Sequence, residues 1–252
     1  MILRETTENF TFITQHDHAN LAGEFFINLK KDFVPLEHYE SLKFAIYQHD
    51  RSWIVPDAIP VWNDFSKRPF DFTDYPENLK FHFYRLGIEQ LSQANSYAAL
   101  LCSMHYSSFI GKDASEEALN FKNKELQRQK HLKQRLKIEN DSYLTYQLSV
   151  LKLCDDLSLF VCLNKPGADK KNVHPFYAKG FPDSAFFNED GENNIFAHYT
   201  DRQTVKFNSF PFEQKFELKL TLKTVEKKEI EELGLATAFE AQPWLEQTVK
   251  FG

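Results

Sequence analysis

The stretch Ala45-Ile46-Tyr47-Gln48-His49-Asp50-Arg51-Ser52-Trp53 sets an adjacent imidazole and carboxylate at the end of an apolar run. Each group costs free energy to bury without a partner, so a His-Asp doublet in such a place calls for one. A metal ion is the economical partner. A metal site then requires other imidazoles and carboxylates in apolar, helix-compatible surroundings.

Upstream of the doublet, Ala19, Ala22, Phe25, Phe26 and Leu29 recur at helical spacing, and Lys30 and Lys31 suit the C-terminal end of a helix. This predicts a first helix from Gln15, with His18 in its opening turn. Before it, Phe10-Thr11-Phe12-Ile13-Thr14 is β-branched and aromatic and reads as a short strand. Pro35 interrupts the first helix, and the run Leu36 to Tyr47 places Leu42, Ala45 and Ile46 on one face of a second. That second helix delivers His49 and Asp50 at its C-terminal end.

Downstream, residues 51–80 hold Pro56, Pro60, Pro69 and Pro76 among Trp53, Trp62, Phe65, Phe70, Phe72 and Tyr75. So much proline predicts a long loop packed by its own aromatics, suited to a lid beside the doublet. Helix resumes at Leu79, and the apolar run Tyr97 to His105 carries His105 at its far end. Residues 113–139 are densely charged but keep Leu119, Leu126, Leu132 and Leu136 as a stripe, which predicts a helix with a solvated face. The last apolar segment, Tyr143 to Leu163, has Asp155 and Asp156 near its middle. Two carboxylates inside such a helix require a reason.

Past Leu163 the character changes. Asn164-Lys165-Pro166-Gly167 reads as a linker, Asp190-Gly191-Glu192-Asn193-Asn194 as a turn, and Phe216 to Lys223 alternates strictly as a strand, followed by a short helix at Lys227 to Leu233. The expectation is a mainly α chain: a helical metal-binding domain over 1–165, and a β-rich C-terminal extension over 166–252 packed on it.

Composition bounds the function. The 252 residues are 42% hydrophobic and 26% charged, the balance of a folded, water-soluble chain. A net charge of -6 argues against a nucleic-acid footprint, so an anionic small-molecule substrate needs a local site that overrides the global sign. Cys102, Cys154 and Cys162 lie in apolar runs with no CxxC spacing and read as reduced core thiols, which with the lack of a signal core or spanning segment predicts a cytoplasmic protein without membrane contact. Oligomeric state is not legible.

Together these segments place His18, His49-Asp50, His105 and either Asp155 or Asp156 on successive helices. Imidazole and carboxylate donors without cysteine suit Fe, Mn, Zn or Mg, as one ion or two. Neighbouring helix residues diverge by about 100°, so His49 and Asp50 reach one ion only at a terminal turn, or Asp50 bridges two. His16 reads instead as a helix-entry residue, and His38, His174 and His198 as surface or loop residues.

The order His…His-Asp…His…Asp resembles the HD superfamily of metal-dependent phosphohydrolases, best over residues 15–163. More narrowly, Gln15-His16-Asp17-His18-Ala19, His49-Asp50-Arg51-Ser52-Trp53, Arg68-Pro69-Phe70-Asp71-Phe72, Tyr97 to His105 and Cys154 to Leu159 resemble a bacterial family of unassigned function within or near it. The resemblance implies an HD-like helical bundle with a smaller β-rich C-terminal part. It implies that His18, His49, Asp50, His105 and Asp155 are metal ligands, with Asp155 rather than Asp156 chosen because the matching aspartate is followed by one variable residue and then Leu. Asp50 and His105 would be catalytic, His82 and His131 the candidates for a further ligand, and Arg128 a phosphate clamp, with Lys124 and Arg135 as substitutes. The implied activity is hydrolysis of a small phosphorylated substrate, a phosphomonoester or phosphodiester. The alternatives are a di-iron oxygenase on the same scaffold and a non-catalytic metal-binding sensor.

Overall fold

In the computed structural model, which describes residues 1–252, the chain opens with a hairpin, β1 (Ile2–Glu5) and β2 (Asn9–Ile13). Two helices follow, α1 (Gln15–Asn28) and α2 (Tyr39–Gln48), and then a two-stranded ribbon, β3 (Trp62–Asn63) and β4 (Arg68–Pro69), inside the proline-rich loop. Four longer helices come next: α3 (Glu77–Ala94), α4 (Ser96–Ser108), α5 (Glu116–Leu136) and α6 (Asp141–Leu163). The C-terminal part supplies β5 (Ala197–Tyr199), β6 (Thr204–Phe207), β7 (Phe216–Glu226), α7 (Lys227–Leu233), α8 (Leu235–Ala241) and β8 (Leu245–Phe251).

The sheet corrects the expectation of a mainly α, all-helical bundle with a small β part. Six strands run in the order β1-β2-β7-β8-β6-β5, so the N-terminal hairpin and the C-terminal strands share one sheet and the fold is mixed α/β. The reason lies in β7. An eleven-residue strand has two hydrogen-bonding edges, and unpaired backbone groups along either would be costly to bury and prone to association. β8 covers one edge, pairing Phe216 with Phe251 through Leu222 with Leu245. β2 covers the other, pairing Phe10 with Val225 and Phe12 with Lys223. Backbone pairing therefore crosses residue 165, where the sequence suggested a division.

Alternation along β7 divides its side chains between two cores. Leu218, Leu220 and Leu222 face the helices in the main core, while Val225 joins Phe10, Phe12, Ile230 and Phe239 beneath α7 and α8. Helix α1 lies between the layers, packed on β7 on one side and on α2 and α6 on the other. Its Phe25 is fully buried, stacked on Phe212 with ring centroids 5.7 Å apart and edge-on to Phe216 and Phe251. Burial of such a ring contributes about 1.5–3 kcal/mol. The clustering of phenylalanine explains how a chain with 25 of them and only 8 glycines packs without a loop-rich structure. All three cysteines are buried and unpaired, and no helix is long and apolar enough to cross a membrane.

Close packing also fixes the turn after the His-Asp doublet. Gly87 of α3 lies against Ser52, where an added Cβ would come within 2.8 Å of the serine Cβ and 2.9 Å of its backbone nitrogen. Backbone on one side and helix on the other leave little room to yield. Gly87→Ala is expected to destabilise the protein by about 1–3 kcal/mol as an overpacked core substitution. Gly111→Ala, at a position with nothing within 4 Å, should be near neutral. Urea midpoints of the two variants measure the difference, and equal midpoints would show that the Ser52 turn gives way freely.

Candidate metal centre

Helix α1 starts on a reciprocal cap: Thr14 Oγ1 accepts the Asp17 N–H at 2.9 Å and donates to Asp17 Oδ2 at 2.6 Å. Such a cap fixes the first turn of a helix, and here it aims His18 inward, where it is fully buried. Helix α2 ends at Gln48, with His49 as its C-terminal cap and Asp50 already at φ -104°, ψ 22°. The terminal turn thus provides the one geometry in which neighbouring residues point at a common centre. His105 in the last turn of α4 and Asp155 in the middle of α6 complete the convergence.

His18 Nε2 lies 2.9 Å from Asp155 Oδ1 and 3.2 Å from His49 Nε2, and His49 Nε2 lies 3.3 Å from the same carboxylate oxygen. Asp50 Oδ2 is 3.6 Å from both of these ring nitrogens. His105 Nε2 stands 3.2 Å from Asp155 Oδ2. All five residues are buried.

The far side of two rings fixes their protons. His49 Nδ1 is 2.7 Å from the Ile46 carbonyl, which can only accept, so this nitrogen carries a hydrogen. Ser158 Oγ donates its single proton to the Asp155 carbonyl at 2.8 Å, which leaves it to accept from His18 Nδ1, also at 2.8 Å. Both imidazoles then turn lone pairs at Nε2 toward each other and toward a carboxylate oxygen. Three facing donor atoms repel unless a cation lies among them, and this is the arrangement that holds metals. The three atoms of His18, His49 and Asp155 lie within 4.8 Å of one another, and this buried group could hold a metal ion.

A proton does part of the same work. Burial alone would discourage a charge on His49, but Asp50 and Asp155 override it and raise its pKa to about 9. Burial likewise pushes the Asp155 carboxyl upward, yet the His105, His18 and His49 rings packed against it hold it well below the usual carboxylate range. Burial lowers the His105 pKa, and its Nδ1, also buried, has no partner. Tyr106 supports the doublet from α4. Its hydroxyl reaches the His49 carbonyl at 2.5 Å and Asp50 Oδ1 at 3.3 Å, and Ser52 Oγ stands 2.6 Å from the same hydroxyl.

The cluster forms one end of a cavity of about 400 Å³, within the range of small-molecule sites. Asp50, His105, Asp155 and Asp156 line it, together with Trp53, Phe81, Tyr84, Phe109 and Tyr177. Burial and the neighbouring Asp155 charge raise the Asp156 pKa to about 8, and Tyr177 contacts this carboxyl at 3.5 Å.

Arg128 does not line this cavity. Its guanidinium donates to the buried Glu125 at 3.0 Å and to Glu89 at 3.3 Å, between α5, α4 and α3. Lys124 and Arg135 are exposed, as are His82 and His131, and none of the four reaches the cluster. The cation that does line the cavity is Lys80, in the first turn of α3. Sequence reasoning missed it because a proline-rich loop precedes it and no periodic pattern singles it out. Ser158 had a usable signal: it lies three residues after Asp155, on the same helix face.

A metal ion held by the His-His-Asp group would have to displace the His49 proton, so the affinity for a probe such as Mn²⁺ should rise about tenfold per pH unit between about 7 and 9 and level off above. The metal-free fold shows the opposite slope: the stabilisation that the raised pKa represents is complete below about 6.5 and lost as pH passes about 9. Calorimetric titration in buffers of different ionisation enthalpy reads this as about one proton released at pH 7 and none near pH 10; no release at pH 7 would contradict the assignment. Ser158→Ala, which frees His18 Nδ1, should weaken metal binding about 10–100-fold without unfolding α6.

Comparison with known proteins adds a family. No curated protein and no solved structure matches the chain. The family described as "Protein of unknown function (DUF3891)" matches residues 1–227, nearly the whole length. The chain, with its buried His-His-Asp group carried by α1, the end of α2 and α6, belongs to that family.

Proposed function

We propose that the protein is a metal-dependent hydrolase of a small phosphorylated substrate, with His18, His49, Asp50, His105 and Asp155 as its ligand set. The observation that carries this reading is the convergence of five buried imidazole and carboxylate groups from four helices at one end of a ligand-sized cavity. Their order along the chain, which resembles that of the HD superfamily, supports it. A divalent ion held there supplies Lewis acidity at a phosphoryl oxygen and acidifies a bound water.

The chain's own residues set the conditions. With both rings neutral, the two carboxylates give the centre a formal charge that matches a divalent cation. Ser158 and the Ile46 carbonyl hold two rings at fixed angles. Tyr106 keeps Asp50 oriented toward the cluster. Trp53, Tyr84 and Tyr177 are buried around the cavity and restrict water at the reacting end. Hydrolysis then forms a bond from water oxygen to phosphorus, breaks the ester P–O bond, and delivers a proton to the leaving oxygen.

The apolar, aromatic lining of the cavity favours a second reading, an iron oxygenase on the same ligands. Metal analysis with paired phosphate-release and oxygen-uptake assays separates the two. Under the hydrolase reading, the protein loaded with Mn²⁺ releases phosphate from small esters, and His49→Ala or Asp155→Asn lowers bound metal and activity at least 100-fold together while circular dichroism stays unchanged. Oxygen uptake with iron and no phosphate release would overturn it. Full metal content in either variant would overturn the ligand assignment.

A further inference from the structure

The lining of the cavity is more specific than a general phosphate site needs. Away from the metal cluster its walls are aromatic, and two of them, Phe109 and Phe176, are 56% and 52% exposed at its rim. Exposed rings on a cavity edge offer apolar area that a ligand can cover. Phe109 also stands edge-on to His105, with ring centroids 4.6 Å apart, so the apolar rim joins directly to the cluster.

Lys80 is the one ammonium or guanidinium group among the lining residues, and it is free. No ion pair or side-chain hydrogen bond engages its amine, although it is half-buried. The acids that face it are Glu77, Asp74 and Asp71. Arg68 already takes Asp71 at 2.7 Å and Asp74 at 2.9 Å, and Glu77 accepts the Ser115 hydroxyl at 2.7 Å. A half-buried lysine whose amine makes no direct ion pair, and whose neighbouring carboxylates are engaged by Arg68 and Ser115, keeps its hydrogen-bond donors for an anion that enters the cavity.

Helix geometry places that receptor away from the metal end. Tyr84 marks the metal end of α3: it stacks on Tyr106 with centroids 3.9 Å apart, and the Tyr106 hydroxyl reaches Asp50. Lys80 stands four residues earlier, about 6 Å along the axis. Helical side chains lean toward the N-terminus, which carries the amine further from the cluster.

We propose that the substrate is a phosphate ester of a flat, apolar alcohol that carries a second anionic group, with the phosphoryl group at the metal cluster, the ring among the cavity aromatics, and the second anion on Lys80. This rests on the hydrolase reading for the identity of the reacting group.

The test uses the full chain loaded with Mn²⁺ and three non-hydrolysable probes, titrated calorimetrically: methylphosphonate, benzylphosphonate and 4-carboxybenzylphosphonate. The ring should tighten binding at least tenfold, and the carboxylate at least tenfold again. Lys80→Met should reduce the carboxylate ratio to about one, Lys80→Arg should restore it, and Phe109→Ala or Phe176→Ala should shrink the ring ratio. Equal binding of methyl- and benzylphosphonate, or a carboxylate ratio intact in Lys80→Met, overturns the proposal. Phosphate release from 4-carboxyphenyl phosphate reads the underlying activity separately. Tight, Lys80-dependent binding without phosphate release keeps this pattern of ring and anion recognition and rejects hydrolysis; release with no preference for ring or carboxylate does the reverse.

Discussion

Two hydrogen bonds on the outer sides of His18 and His49 govern the centre of this molecule. The Ile46 carbonyl and the Ser158 hydroxyl fix the ring protons outward, so the inward nitrogens must face each other and Asp155 as lone pairs. Everything nearby accommodates that demand for positive charge. Asp50 and Asp155 make the centre anionic, burial sharpens the field, and one proton on His49 relieves the repulsion when no metal does. An apolar cluster of the same volume would fold with less conflict. The retained conflict is what would suit the buried His-His-Asp group to a metal ion.

The sheet serves this centre through α1. Strand β2 ends at Ile13, Thr14 caps the helix, and His18 follows in its first turn, so the position of one ligand is tied directly to the pairing of β2 with β7. Phe25, two turns further, locks the same helix onto the sheet. On the opposite side α3 approaches the doublet as closely as Gly87 allows. The cluster therefore sits among helices, one of which, α1, is fixed to the sheet.

What the sequence made legible follows from the range of the interactions. His18, His49, Asp50, His105 and Asp155 stood out because polar groups in apolar helices are costly, and that cost is local. The helices themselves were legible from their periodicity, and Lys227–Leu233 was found with the bounds the structure gives. Arg128 was misplaced because a charge on a helix reveals its type and not its partners, here Glu125 and Glu89. The sheet was misjudged for the same reason at longer range. Ile2–Glu5 carries little strand signal of its own, and it becomes a strand by pairing with β2. Nothing in residues 1–14 announces that their other neighbour lies more than two hundred residues away.

That separation has a consequence for biosynthesis. The inner edge of the hairpin stays open until β7 leaves the ribosome, about 10–40 s later at roughly 5–20 residues per second. During this interval the helices α2 to α6 can form and bring His49, His105 and Asp155 together, while the strand that anchors His18 still lacks its neighbour. Were the His-His-Asp group to take up a metal ion, capture would consequently be a late, post-release event, and a nascent chain stalled before Phe216 would bind it weakly even though His18, His49 and Asp155 have already been translated.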